Sequence, residues 1–153
     1  MKKFFVLVLF VILSSLFTSC NNSELRKESL HSGFIEESGI YNLPHKKRNI
    51  LVKELKDGSI LFAIRNSQNE ILFQQSLNET FSPYHFWKLY VDENANVWYY
   101  NGDYNSSKAL LFTEKTQLYE IEDFCSREFQ LPLKFKKAIE SHIDKNCQSF
   151  KKE

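Results

Sequence analysis

The chain predicts an α+β fold that is mainly β: an antiparallel meander sheet or small barrel of six to eight strands, with a C-terminal helix laid over one face. Three observations carry this. Residues 49–77 and 85–114 each run as short apolar stretches parted by polar turn residues, the rhythm of strands joined by hairpins. Leu131, Phe135, Ile139, Ile143 and Cys147 then recur at intervals of four, the spacing of one buried helix face. Aromatic residues make up 15% of the 153 residues, far too many for a solvated coil.

The N-terminus is a different kind of sequence. Lys2 and Lys3 precede an apolar run from Phe4 to Leu13, which continues through Leu16 and Phe17 to Thr18 and Ser19. A membrane-crossing helix needs about 20 mostly apolar residues; this run is shorter and ends in hydroxyls, so it has the layout of a secretory signal. The segment Leu16-Phe17-Thr18-Ser19-Cys20 resembles the signal of bacterial lipoproteins, in which an aliphatic residue and two small ones precede a cysteine that is lipidated and becomes the new N-terminus. Phe17 stands where that pattern usually has Leu, Val or Ile. The resemblance covers residues 1–20 only. It implies an acylated Cys20 and a lipid-anchored address in the bacterial cell envelope, without distinguishing inner from outer membrane. Each buried CH₂ of an acyl chain contributes about 0.8 kcal/mol, so several chains together make a stable anchor. The alternative is an ordinary signal cut near Ser19 that leaves Cys20 a plain thiol.

Residues 1–19 are thus read as a signal peptide, 20–32 as a tether and 33–153 as a single β-rich domain. The tether reading rests on the polar, charged run from Asn21 to His31, which offers nothing to build a core. Removing residues 1–19 leaves 134 of the 153 residues, enough for one domain with a true core. Because the leader holds Lys2 and Lys3 and no acid, its loss takes the formal net charge from +1 to −1, which offers no electrostatic case for nucleic acid. If Cys20 carries lipid, Cys125 and Cys147 remain as an even pair in an oxidising compartment, where a disulfide forms and persists. The stripe places Cys147 at the end of the buried helix face and Cys125 just before that helix. A bridge there closes a loop worth roughly 3 kcal/mol by loop entropy. Two separate buried thiols, or a redox pair lacking a C-x-x-C motif, are the alternatives.

Ordered structure is expected from near Gly33 or Gly39. The run Asn49 to Leu55 reads as a strand, and Asp57-Gly58 as a tight hairpin turn in which both residues take positive φ. Ser59 to Arg65 is apolar on both faces and so reads as an interior strand. After a turn at Asn66 to Asn69 comes the strand Glu70 to Leu77, and Pro83 lies in a loop because it has no N–H for a ladder. His85 to Asp92, Asn96 to Asn101 and Ala109 to Glu114 repeat the rhythm, so that the two trios look like two versions of one meander unit. Gln117 to Phe124 adds a last strand, and Pro132 suits the first turn of a helix over about 131–146.

Catalytic signatures are scarce. The chain has no H-E-x-x-H, G-x-S-x-G, Walker loop or G-x-G-x-x-G, and four glycines are too few for a backbone phosphate cradle. His31, His45, His85 and His142 are far apart in sequence, and none stands at ligand spacing from an acid or cysteine. Asp92, Asn94 and Asn96 imitate the start of a calcium loop, with Asp103 where a closing acid would fall, but Val97 occupies the position that needs a glycine, so turn residues explain them better. No metal ligand and no cofactor is therefore expected. His45-Lys46-Lys47-Arg48 is a basic cluster that either steers an acidic partner, rests on anionic lipid near the tether, or is simply solvated.

Ten of the 23 aromatic residues fall between Phe81 and Phe112, a density that one helix over one sheet cannot cover on both faces. Either one set is core and the other is covered by the helix or by barrel closure, or Trp87, Tyr90, Trp98 and Tyr100, the candidate binding residues, form an exposed patch that packs on a protein or stacks on sugar. The function expected is non-enzymatic: an envelope lipoprotein whose domain binds a protein partner through a strand edge or strands 86–100, in the manner of an inhibitor or immunity protein. A carbohydrate or peptidoglycan binder is the second class and an enzyme the third.

Overall fold

Apolar residues at every second position have to find a second layer, and the chain supplies it by making its two meanders separate sheets. The computed structural model describes residues 25–151. Its strands are β1 (Lys27–Ser29), β2 (Gly33–Phe34), β3 (Gly39–Leu43), β4 (Arg48–Glu54), β5 (Ile60–Asn66), β6 (Ile71–Gln74), β7 (Trp87–Val91), β8 (Val97–Asn101), β9 (Ser106–Thr113) and β10 (Leu118–Asp123), followed by the helix α1 (Leu133–Ile139). The first sheet has the order β1-β3-β4-β5-β6 and the second β10-β9-β8-β7-β2. All pairings are antiparallel except β1 with β3. The protein is α+β and mainly β, as the sequence predicts; among the described residues the strands form two sheets and not one meander or a closed barrel, and they number ten where six to eight are expected.

Two cores result. Tyr41, Ile50, Val52, Phe62 and Ile64 of the first sheet meet Leu89, Val91, Val97, Tyr99 and Leu110 of the second, with Phe81 fully buried between them. The far face of the second sheet, bearing Tyr90, Trp98, Tyr100 and Ala109, is covered by Phe124, Leu131, Phe135 and Ile139. The molecule therefore has three layers: first sheet, second sheet, C-terminal cover.

Three hairpins share one turn. Leu55 N–H donates to Ser59 O at 2.8 Å and Gly58 N–H to Leu55 O at 3.0 Å, with Gly58 alone at positive φ (80°). This is a three-residue loop closed by one left-handed residue, not the two-residue turn that Asp57-Gly58 predicts. Asn69 (φ 67°) and Ala95 (φ 61°) close the hairpins β5–β6 and β7–β8 in the same way. Ala95 bears the cost of left-handed backbone, about 1–2 kcal/mol, because its carbonyl receives the Tyr119 hydroxyl at 3.1 Å and its methyl sits fully buried in the core.

Both boundaries differ from expectation. Of the residues read as tether, Lys27–Ser29 are a strand: Ile40 N–H donates to Arg26 O at 2.8 Å and Leu30 N–H to Asn42 O at 2.8 Å. Gly39 permits this close approach, since a Cβ there would stand 2.9 Å from Arg26 O. The helix is seven residues long and ends at Ile139, well short of residue 146. Beyond it Ile139 O accepts from both His142 N–H at 2.9 Å and Ile143 N–H at 3.1 Å, and Asp144 then forms its own turn, its side chain accepting from Asn146 N–H at 2.6 Å and its carbonyl from Cys147 N–H at 3.0 Å, so the ladder does not resume. Cys147 still reaches the buried face, 2% exposed, and is bonded to Cys125 in a disulfide.

Candidate functional site

The four aromatic candidates fall on two different faces. Tyr90, Trp98 and Tyr100 are 6%, 5% and 4% exposed beneath the C-terminal cover. Their polar ends are spoken for as well: Trp98 Nε1 donates to Asp92 Oδ2 at 3.0 Å, and Tyr100 OH to the His142 carbonyl at 2.8 Å. Burial pushes the phenols of Tyr90 and Tyr100 up, with Asp92 and Asp144 respectively adding to the effect. Trp87 points the other way, half-buried and stacked on Phe81 with ring centroids 4.8 Å apart and planes at 6°. These residues hold layers together and present no aromatic platform for a sugar ring.

Asp92 is equally committed. Its Oδ1 accepts from Asn94 N–H and Asn96 N–H, both at 2.9 Å, and its Oδ2 from Asn96 Nδ2 and Trp98 Nε1, both at 3.0 Å. Asn96 Oδ1 in turn accepts from Phe112 N–H at 3.1 Å. The pattern that imitates a calcium loop is a turn whose carboxylate serves four donors.

The basic cluster is split by the strand it introduces. Arg48, on the inward face of β4, is buried at 9% exposure with its guanidinium 3.1 Å from the centroid of the Phe112 ring and Nη1 donating to Tyr119 OH at 3.2 Å. Its charge is held by aromatic faces and not offered to a partner. Lys46 lies 3.8 Å from Glu114, and His45 packs on His31 at 4.7 Å between centroids. The cluster stands away from the point where the described chain begins, though it meets the far end of the tether at His31: β1 runs parallel to β3, so Arg26 lies beside Gly39 while the basic turn follows Leu43 at the other end of that strand. One histidine does meet an acid, contrary to the sequence spacing, since His85 Nδ1 lies 3.3 Å from Asp103 Oδ1 on a half-exposed turn. His142 instead stacks on Phe86 at 3.6 Å. Among the described residues, no three of His, Cys, Asp and Glu gather as a metal site would require.

The surface that remains open lies at one side of the sandwich. β6 and β10 are the terminal strands of the two sheets and run close to each other. Here Ile71, Leu118 and Ile121 are 54%, 54% and 56% exposed. Ile121 shares its face with Tyr119, which is buried in the inter-sheet core, and lies opposite buried Leu110 in the register. It is uncovered because β6 is four residues long and shifts register between Ile64 and Arg65, so the first sheet stops short of it. The opposite side is blunted: β1 and β2 have three and two residues, and Arg26 bridges Glu28 and Glu37 while Lys88 bridges Glu36 at 2.6 Å. Short strands and charges are the usual protection of a sheet edge; the β6/β10 side has them in part, but β10 runs six residues and leaves Leu118 and Ile121 exposed along its outer edge. In sequence Gln117 to Phe124 gives only a strand of alternating character; that it is a terminal strand with nothing over Ile121 depends on where β6 ends.

Cys20 and the leader lie outside the described residues. Within those described, no helix is long and apolar enough to cross a membrane. No family model matches the chain, and neither a curated protein nor a solved structure does.

Proposed function

We propose that the protein is a non-enzymatic lipoprotein of the bacterial cell envelope, anchored by lipid on Cys20, whose sandwich binds a protein partner as an inhibitor or immunity protein does. The observation that carries the binding half is the β6/β10 side, where three aliphatic side chains stay more than half exposed beside two strand edges. The leader motif supports the address, and the Cys125–Cys147 disulfide agrees with it, since such bonds persist outside the reducing cytosol. The carbohydrate reading loses its support, because Tyr90, Trp98 and Tyr100 are covered.

Two measurements test the two halves. Intact mass of the mature protein is expected to give an acylated Cys20 as the first residue; another N-terminus, or an unmodified Cys20, overturns the anchor. A photocrosslinking side chain at position 118 in the full-length chain, activated in intact cells, is expected to yield a protein adduct. A side chain at Lys134, on the exposed back of α1, serves as control. Adducts with lipid alone, or equally from both positions, overturn the protein-binding reading.

A further inference from the structure

Register decides which backbone groups of β10 are free. Phe124 N–H donates to Ser107 O at 3.1 Å, and the ladder continues with Glu122 opposite Ala109, Glu120 opposite Leu111 and Leu118 opposite Thr113. Hydrogen-bonded and non-bonded pairs alternate along an antiparallel ladder. The even-numbered residues of β10 thus bond to β9, and the N–H and C=O groups of Tyr119 and Ile121 point outward from the sheet. No described residue pairs with them on that side.

The side chains add a chemical pattern to this edge. On one face Ile121 is exposed and stands on the inter-sheet side with Tyr119; on the other are Glu120, exposed, and Glu122, whose carboxylate is 3.0 Å from Arg127, with exposed Leu118 at the start of the strand. A strand laid against β10 would have one row of side chains over Ile121, toward β6 and Ile71, and the other row beside Glu120. We infer that the partner adds a strand to β10 as an extended segment that alternates apolar and basic residues, the apolar row on the Ile121 side and the basic row beside Glu120. Strand addition takes its affinity from main-chain hydrogen bonds and its selectivity from alternate side chains, and both are on offer at this edge. A second copy of this chain is a poorer occupant. Self-pairing brings a second acidic strand, including another Glu120 and Glu122, against the same edge.

This inference rests on the protein-binding reading, and its test is chosen to separate the two. The probe is a synthetic seven-residue peptide of alternating lysine and valine, compared with its glutamate/valine counterpart, added to the ¹⁵N-labelled full-length protein in non-ionic detergent. Amide exchange is read residue by residue. The lysine/valine peptide is expected to slow exchange at Tyr119 and Ile121 by about tenfold or more while leaving Glu120 and Glu122, already bonded to β9, unchanged. The glutamate/valine peptide is expected to do neither. Ile121→Pro removes one outward N–H and no bond to β9, as an edge strand tolerates, and should abolish the protection. Glu120→Lys keeps every backbone group and should transfer the preference to the glutamate/valine peptide, which keeps the test intact if the proline variant fails to fold. Equal protection by both peptides, protection on β1 or β2 instead, or none at millimolar peptide overturns the inference. A protein crosslinked at position 118 whose yield survives Ile121→Pro unchanged would leave the protein-binding reading standing and remove strand addition alone.

Discussion

The two sheets began as similar strand trios in the sequence and have opposite fates. The second is covered on both faces, by the first sheet on one side and by residues 124–150 on the other. The described residues cover the first on one face only. Its outer face mixes Leu51, Leu61 and Ala63 with Asn49, Lys53, Arg65 and Gln74, so that Lys53, Arg65 and Gln74 border a small apolar patch. The outer face of the second sheet carries Tyr90, Trp98 and Tyr100, too much apolar surface for such screening, and it recruits the C-terminal segment. Side-chain size on one face of each sheet thus decides which sheet becomes the middle layer.

The largest expected effect tests that middle position. Phe135 is fully buried against Tyr90 and Phe124, so Phe135→Ala should cost about 3–5 kcal/mol in urea unfolding. A loss under about 1 kcal/mol would mean that the cover is dispensable to the second sheet. Next comes the Cys125–Cys147 bridge, which spans 22 residues and ties that cover to the end of β10. Replacing both cysteines with alanine should cost about 3 kcal/mol, with hydrogen exchange accelerating in α1 and residues 140–150 before it does in β4 and β5. Uniform acceleration would show that the cover and the first sheet unfold as one unit.

Asp92→Ala should cost about 2 kcal/mol, because it strands the Trp98 indole N–H beneath the cover together with the turn amides of Asn94 and Asn96. A shift in tryptophan emission should accompany the loss, and an unchanged midpoint would mean that water replaces the carboxylate. Alkaline pH discriminates between the sheets more gently. Burial raises Tyr99, Tyr90, Tyr100 and Tyr119 of the second sheet above the ordinary value of 10.0, and only Tyr41 in the first. Since the folded-state values are raised, the stability these groups contribute is fully present below pH 10 and is lost as pH rises from there through the raised values. Tyrosinate absorbance with far-ultraviolet dichroism checks it: ionisation of the buried phenols should coincide with unfolding, and their titration in a native chain near pH 10 would refute the burial. The smallest effect belongs to the bare face, where Leu61→Thr should change stability by about 0.5 kcal/mol or less. A loss comparable with that of Phe135→Ala would reveal a cover over the first sheet.

Several features could be read directly from the chain. The period-two runs mark β4, β5, β7, β8 and β10 within a residue or two, while β9 starts three residues earlier than read, and the Cys125–Cys147 pairing is the one expected if Cys20 is set apart. The period-four stripe identifies the right residues for the second core but overstates the helix, because burial of Ile143 and Cys147 is achieved by a turn and a disulfide after the ladder has ended at Ile139. Trp98 and Tyr100 look like a binding patch because sequence periodicity reports that a face is apolar and says nothing about what covers it.

Local chemistry, then, was determined by the sequence alone: where the chain extends, where it turns and which side chains share a face. These depend on neighbours within a few residues, and period and turn type carry them. Tertiary structure alone decided that the two trios part into two sheets, that the aromatic face is sealed, that Arg48 is held by Phe112, and that β10 ends the second sheet with Tyr119 and Ile121 pointing their backbone outward. Each of these depends on contacts between residues tens of positions apart, which no local pattern records.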